Sequence, residues 1–306
     1  FAATLAGWLR RERFDILQVE GIELARYLWS LPEPRPRIVF DAHNAEYVLQ
    51  KRAFLTDLRR PQRWAMAGYS LVQWLRLRSF ERQACRRAGS LVAVSQADAR
   101  ALAALDGRLR PIVVPNGVDL GHYRPGYPAL AGMAQPSLVF TGKMDFRPNV
   151  DAVLWFSTQV LPRIWERCPG AHFYIVGQSP SSRLGVLRRE PRIVITGRVE
   201  DTRPYTAGAS VYVVPLLVGG GTRLKVLEAL AMGRAVVSTS LGAEGLGVTH
   251  GQELLLADDS AGFAGQVLAL LDSPQRCSEL GRAGRAFTEQ RYGWDAIGPL
   301  LEAAYR

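Results

Sequence analysis

The sequence predicts an α/β protein of two domains, each built on a parallel sheet. Short Val, Ile and Leu runs alternate with longer helical stretches along all 306 residues. Most of these runs are continuously apolar rather than alternating, which is how strands buried on both faces of a parallel sheet read. The pattern breaks once, where Pro and Gly cluster at Tyr123-Arg124-Pro125-Gly126-Tyr127-Pro128, the composition of a linker between domains.

The chain opens at Phe1 rather than at a methionine, directly in a helical stretch over 2–13. It therefore reads as a protein entered partway. Strands are predicted at 16–19, 37–41, 90–94 and 111–114, and these make a first domain over 1–128. Past the break, strands follow at 137–141, 172–176, 192–196, 210–214 and 235–238. Helices are predicted over 150–166, 223–232 and 261–271, and together these elements make a second domain over 129–290. Residues 291–306 form a last helix, expected to pack back on the first domain. Repeated strand-then-helix order is what right-handed crossovers in a parallel sheet require.

Composition bounds the partners. Hydrophobic residues make up 48% of the chain and charged residues 22%, so there is ample material for a core. The net charge of +10 suits an anionic partner without choosing among nucleic acid, membrane and phosphorylated substrate. No nucleic-acid-binding motif accompanies that charge. Cys85, Cys168 and Cys277 are far apart, with no CxxC pair. That spacing argues against a zinc ribbon or a disulfide framework and for a reduced, cytoplasmic setting. No run of about 18 apolar residues is present, so no transmembrane span is predicted.

The stretch 58–87 mixes Arg59, Arg60, Arg63, Arg76, Arg78, Arg82, Arg86 and Arg87 with Trp64, Met66, Tyr69, Leu71, Trp74 and Leu75. It reads either as a solvated arginine face over a buried aromatic face, or as a basic amphipathic helix that contacts an anionic membrane peripherally.

The strongest local signal follows the strand at 210–214. Gly219-Gly220-Gly221-Thr222-Arg223-Leu224-Lys225 runs into the helix 223–232, which Gly233 is placed to stop. Thr222 is the expected N-cap. Glycines admit a ligand close to the backbone, and free N–H groups at a helix start favour an anion. Arg223 and Lys225 oppose the helix dipole there at about 0.3–1 kcal/mol each, a cost that charge-assisted bonds to a phosphate would offset. The loop lacks the Gly-Lys-Ser/Thr of a Walker A motif and the spacing of a dinucleotide fingerprint. A second basic loop, Gly142-Lys143-Met144-Asp145-Phe146-Arg147-Pro148-Asn149, follows the strand at 137–141. In open parallel sheets ligands bind outside the carboxyl ends of strands, so Lys143 and Arg147 fall on the same rim as Arg223 and Lys225. The loop Gly197-Arg198-Val199-Glu200-Asp201 offers a rest for a base or ribose, and Glu228 can accept ribose hydroxyls. No Asp-x-Asp occurs, so side chains rather than a metal are expected to neutralise the phosphates.

These residues resemble retaining glycosyltransferase family 4, and the likeness runs along nearly the whole chain. Val114-Pro115-Asn116-Gly117-Val118-Asp119 is similar to the family's V-P-N-G-V-D segment, and Val94-Ser95 with Asp98 to its V-S-x-x-D helix start. Pro215 and the run to Leu227-Glu228-Ala229-Leu230-Ala231-Met232-Gly233, then Ala235-Val236-Val237-Ser238-Thr239, are similar to its donor motif. The stretch 140–149 resembles a branch associated with bacterial exopolysaccharide synthesis.

The resemblance implies a GT-B fold of two Rossmann-like domains facing a cleft. A hexosyltransferase reaction is implied, from a nucleotide diphosphate sugar to a glycan or lipid-linked acceptor, with retention and without a metal or other cofactor. His43 resembles the family histidine near the transferred sugar, and Glu228 the second glutamate of its E-x7-E motif. Lys143 and Arg223 are the further catalytic candidates. Gly142, Arg147, Arg198, Val199, Gly220, Gly221, Thr222, Leu224, Lys225 and Glu228 are the donor-binding ones.

Three departures stand out. The first glutamate of E-x7-E falls at Gly220. The R-x5-K pair falls at Lys143 and Asn149, so Arg147, Arg223 or Lys225 must supply its second charge. The family's opening strand and glycine loop have no counterpart before Phe1, so the first domain is expected to lack its opening strand–helix units and the chain to be inactive as it stands. A nucleotide-sugar epimerase on the same architecture, and a truncated or degenerate non-enzymatic scaffold that binds nucleotide sugars, are the alternatives.

Overall fold

The computed structural model describes residues 1–58, 61–219 and 223–306. Gly220, Gly221 and Thr222, with Arg59 and Arg60, lie outside the described residues. The chain forms two compact units, Phe1–Asn116 with Ile297–Arg306, and Gly117–Gly219 with Arg223–Ala296.

In the first unit, β1 (Ile16–Glu20), β2 (Arg37–Ala42), β3 (Ser90–Ala93) and β4 (Ile112–Val113) form a parallel sheet in sequential order. Both faces of β2 are buried, which is why its sequence runs apolar without alternation. Ile38, Phe40 and Ala42 join one core with Leu28, Leu91 and Leu102, while Val39 joins Val92, Val114, Ile297 and Ala304 on the other face. The helices Glu46–Leu58 and Trp64–Arg87 follow β2. The second of these buries small residues, Ala67, Ser70, Ala84 and Cys85, together with Glu81. Its large side chains Trp64, Met66, Tyr69 and Leu75 are exposed. The aromatic face of 58–87 is therefore not the buried one, because close packing on this side requires small residues. Among the described residues no helix is long and apolar enough to cross a membrane.

In the second unit, β5 (Ser137–Thr141), β6 (His172–Val176), β7 (Ile193–Gly197), β8 (Val211–Val214), β9 (Val236–Ser238) and β10 (Leu255–Leu256) form a parallel sheet ordered β10-β9-β8-β5-β6-β7. The chain starts at the centre with β5, winds outward to β7, and returns to lay β8 against β5. Strand order reverses between those two strands, which is where open α/β sheets place their ligands. Phe140, Phe156, Phe173 and Phe263 fill the core beneath it. The helix Arg147–Trp155 continues through one wide π turn, Phe156–Val160, into Leu161–Trp165. Pro162 follows that turn, and its missing N–H and bulky ring disfavour a regular α ladder there.

The first unit ends at Asn116 rather than at 128. The stretch expected to close it packs in the second unit because residues far along the chain hold it. Val118 N–H donates to Tyr292 O at 2.7 Å, Arg285 Nη1 donates to Tyr123 O at 2.8 Å, and Tyr127 Oη donates to Asp201 Oδ2 at 2.9 Å.

Candidate functional site

At the carboxyl ends of β5, β6 and β7, beside the helix that follows β8, the second unit holds an open cavity of about 400 Å³. Tyr123, Gly142, Lys143, Arg198, Lys225 and Glu228 line it, with Thr141, Gly177 and Thr202. Its floor depends on glycine. Gly142 N–H donates to Val176 O at 2.9 Å, and Met144 N–H to Gln178 O at 2.9 Å, so the loops after β5 and β6 are stitched together. A Cβ on Gly177, at φ +154°, would stand 1.8 Å from Gly142 O. Only glycine allows that approach.

The helix after β8 is Leu224–Ala231, with Arg223 itself at the N-cap and no side-chain cap. The expected cap, Thr222, lies outside the described residues. The helix ends as expected at Gly233, φ +67°. Lys225 and Glu228, three apart on this helix, share a face, and both reach the cavity half-buried. Lys225 Nζ donates to Asn149 Oδ1 at 2.9 Å and lies 4.1 Å from the Phe140 ring centroid. Asn149 Nδ2 donates in turn to Lys143 O at 2.9 Å. One amide thus ties the loop after β5 to the cation delivered from the helix after β8.

Burial pulls the Lys225 ammonium down to about 7, and the neighbouring Arg223 acts in the same direction while Glu228 opposes it. A cation that burial disfavours and another cation repels is a site that an anion relieves. Burial raises the Glu228 carboxyl, against a hydrogen bond with the Tyr123 hydroxyl and the charge of Lys225. The Tyr123 hydroxyl is pushed up to about 12, by burial first and then by Glu228.

The other expected residues are placed as follows. Arg198 and Val199 line the cavity. Lys143 also lines it and pairs with Asp145 at 3.3 Å. Arg147 does not line it and pairs with Asp151 at 3.4 Å. Arg223 is buried, 7% exposed, against Gly219, where an added Cβ would meet its Nη1 and Nη2 at 3.4 Å. Leu224 is exposed and not part of the lining. Gly220 and Gly221 lie outside the described residues.

His43 belongs to the first unit, exposed in the turn after β2. That turn is braced from below: Ala45 N–H donates to Asp98 Oδ1 at 2.9 Å, and the N–H groups of Glu46 and Tyr47 donate to the two oxygens of buried Glu81 at 3.0 Å each. Among the described residues no group of three or more His, Cys, Asp or Glu side chains converges as a metal site needs.

Residues 1–122 match the family model for Glycosyltransferase Family 4, and residues 135–273 match the model for Glycosyl transferases group 1. The chain belongs to the family 4 glycosyltransferases.

Similar curated proteins include the D-inositol 3-phosphate glycosyltransferase of Segniliparus rotundus, 29% identical over 63% of this chain and 46% of its own length. The phosphatidyl-myo-inositol mannosyltransferase of Mycolicibacterium smegmatis is 29% identical over 63% of this chain and 51% of its own. An uncharacterized 44.6 kDa protein in the cps region of Klebsiella pneumoniae is 24% identical over 51% and 42%. The chain thus spans about half the length of the curated relatives it matches. Among solved structures, sucrose-phosphate synthase from Thermosynechococcus elongatus superposes at a TM-score of 0.78 with 18% identity, over 100% of this chain and 76% of that one. Anabaena HepE in complex with UDP and glucose superposes at 0.73 with 16% identity, over 99% and 80%. The fold of this glycosyltransferase chain is GT-B.

Sequence reasoning about the family site missed Tyr123, Thr202, Gly177 and the tie made by Asn149. Tyr123 sits in what reads as linker, with nothing local to mark it. The blank at the family's second cation position was the one available signal for Asn149.

Proposed function

We propose that the second unit binds a nucleotide diphosphate sugar in the cavity at the carboxyl ends of β5, β6 and β7. The whole protein then transfers the sugar, with retention, to a glycan or lipid-linked acceptor. The observation that carries this reading is Lys225, half-buried and tied to Asn149 inside the cavity, on the same helix face as Glu228. Lys143, Lys225 and Arg198 supply fixed positive charge to the diphosphate, with Arg223 behind them. As the bond from sugar to diphosphate breaks, negative charge grows on the leaving group, and preorganised cations in a half-buried site stabilise it without reorganising. These cations take the place of a divalent metal. Glu228, pinned by Tyr123, accepts the ribose hydroxyls.

Calorimetry with UDP-glucose and GDP-mannose tests the donor site. Lys143→Ala is expected to weaken binding of the preferred nucleotide tenfold or more while the circular dichroism spectrum stays the same. Glu228→Ala is expected to weaken the nucleotide sugar more than inorganic diphosphate. Unchanged affinity in the first variant, or equal losses in the second, counts against these roles.

The reading extends to where the protein works. The exposed Trp64, Met66, Tyr69 and Leu75 share one helix with Arg76, Arg78 and Arg82, the composition of a surface that rests on anionic headgroups at the cytoplasmic face of a membrane. Co-sedimentation with anionic but not neutral vesicles, reduced by Trp64→Ser with Tyr69→Ser, is the expected result.

A further inference from the structure

A second cavity, of about 360 Å³, lies at the other end of the second unit's sheet, at the amino ends of β8 and β9. The helix Leu224–Ala231 finishes there in a Schellman turn: Gly233 N–H donates to Leu230 O at 2.8 Å, and Arg234 N–H to Ala229 O at 3.0 Å. The turn delivers Arg234 into the cavity wall. The helix Pro274–Tyr292 forms the opposite wall. It approaches closely because Gly281 faces the turn; a Cβ there would stand 2.2 Å from Gly233 O.

The charges on these walls do not balance. Arg234, Arg282 and Arg285 face a single carboxylate, Glu289. Glu289 is taken by Arg285 at 2.5 Å, and Arg285 Nη1 is spent on the carbonyls of Leu120, Tyr123 and Ala231. Arg234 Nη1 donates to Ala207 O at 2.9 Å, but its Nε is buried without a hydrogen-bond partner. Among the described residues no carboxylate pairs with Arg234, and burial draws its guanidinium below the ordinary value. Arg282 stands exposed on the rim, and among the described residues it has neither an ion pair nor a hydrogen bond. Placement just past a helix C-terminus accounts for part of the stability of Arg234. It supplies no acceptor for the buried Nε, whose desolvation goes uncompensated, and it gives no reason for a second cation across the cavity. A planar fork with free donors beside an open, positively charged cavity matches phosphate geometry.

We propose that this cavity is an anion site for a small phosphate-bearing molecule, held by Arg234 and Arg282 and separate from the nucleotide cavity. The test titrates inorganic diphosphate at fixed ionic strength into the chain carrying Lys143→Ala and Lys225→Met, which strips the nucleotide cavity of two of its cations. Saturable one-to-one binding is expected, and adding Arg234→Gln with Arg282→Gln is expected to weaken it tenfold or more. Absence of saturable binding in the first variant, or undiminished binding after the second pair of changes, overturns the proposal. Should Arg234→Gln fail to fold by circular dichroism, Arg282→Glu at the exposed rim carries the test, with the same tenfold loss required. A reading in the unmodified chain is independent of the nucleotide cavity: Cys277 lines this pocket and Cys168 does not. Diphosphate must slow alkylation of Cys277 relative to Cys168; an unchanged ratio overturns the site.

Discussion

The ammonium of Lys225 donates to the side-chain oxygen of Asn149 at 2.9 Å, joining the helix after β8 to the helix after β5. The resemblance to the family's R-x5-K pair implies a cation at position 149, where Asn149 stands and Lys225 reaches it. Moving the charge back tests this relation. Lys225→Met is expected to weaken binding of the preferred nucleotide sugar tenfold or more in calorimetry, and Asn149→Lys in that background to recover much of the loss. No recovery would mean that position 225 has a role other than delivering charge to that spot.

The depressed Lys225 is expected to make donor binding depend on pH. Near pH 8 a group held at about 7 is largely neutral, and a bound diphosphate favours its charged form. Binding of a nucleotide sugar at pH 8 is expected to take up protons, and affinity to fall as pH rises above 7. Calorimetry in two buffers of different ionisation enthalpy measures that uptake; a value of zero, or the same uptake in Lys225→Met, contradicts the assignment. For stability the sign follows from proton counting. Between about 7 and the ordinary lysine value the unfolded chain binds the extra proton, so this group makes the fold more stable as pH rises across that window.

Tyr123→Phe removes the hydroxyl that holds Glu228. The expected effect is a loss of about 1 kcal/mol in nucleotide-sugar affinity, the worth of one hydrogen bond. Inorganic diphosphate affinity should not change. A parallel loss for both ligands would place Tyr123 against the phosphates instead of the ribose.

Gly177→Ala forces a methyl group into the carbonyl of Gly142 at a φ that L side chains rarely adopt. A destabilisation of about 2–4 kcal/mol, the sum of strain and overpacking, is expected in urea unfolding. A neutral substitution would show that the loops after β5 and β6 do not meet as described.

Glu81 in the first unit is fully buried and accepts the first two amides of the helix Glu46–Leu58. Glu81→Ala leaves both without a partner and is expected to cost about 2–4 kcal/mol. Burial outweighs those hydrogen bonds and lifts the carboxyl to about 7. A raised carboxyl stabilises below its unfolded value and loses that contribution as pH rises toward 7. Glu81→Gln is therefore expected to flatten the pH dependence of thermal melting between about 4.5 and 7, and an unaltered profile would remove Glu81 as its source.

The sequence by itself determined β1 to β9 and the α/β class, and missed β10, whose two residues are too few to stand out as an apolar run. Leu138-Val139-Phe140 and Phe173-Tyr174-Ile175-Val176 run without a polar alternation because both faces of their strands are buried, and that demand is written residue by residue. The rim loop at Lys143 was legible from its place after an apolar strand, and the helix carrying Lys225 and Glu228 from cations at a helix start, which go against the dipole and raise the expectation of an anion there.

Tertiary structure alone decided the rest. Nothing near Asn149 tells that Lys225 lies beside it, since the contact exists only because the crossover from β7 returns β8 to the edge of β5. Nothing in the composition of 117–128 distinguishes a linker from an anchored segment; Arg285 and Tyr292, supplied from far along the chain, make it the latter. Composition announced an amphipathic stretch over 58–87 but not which side faces inward, because that choice depends on how much room the neighbouring helix leaves, and here it admits alanine and serine and turns Trp64 and Tyr69 out.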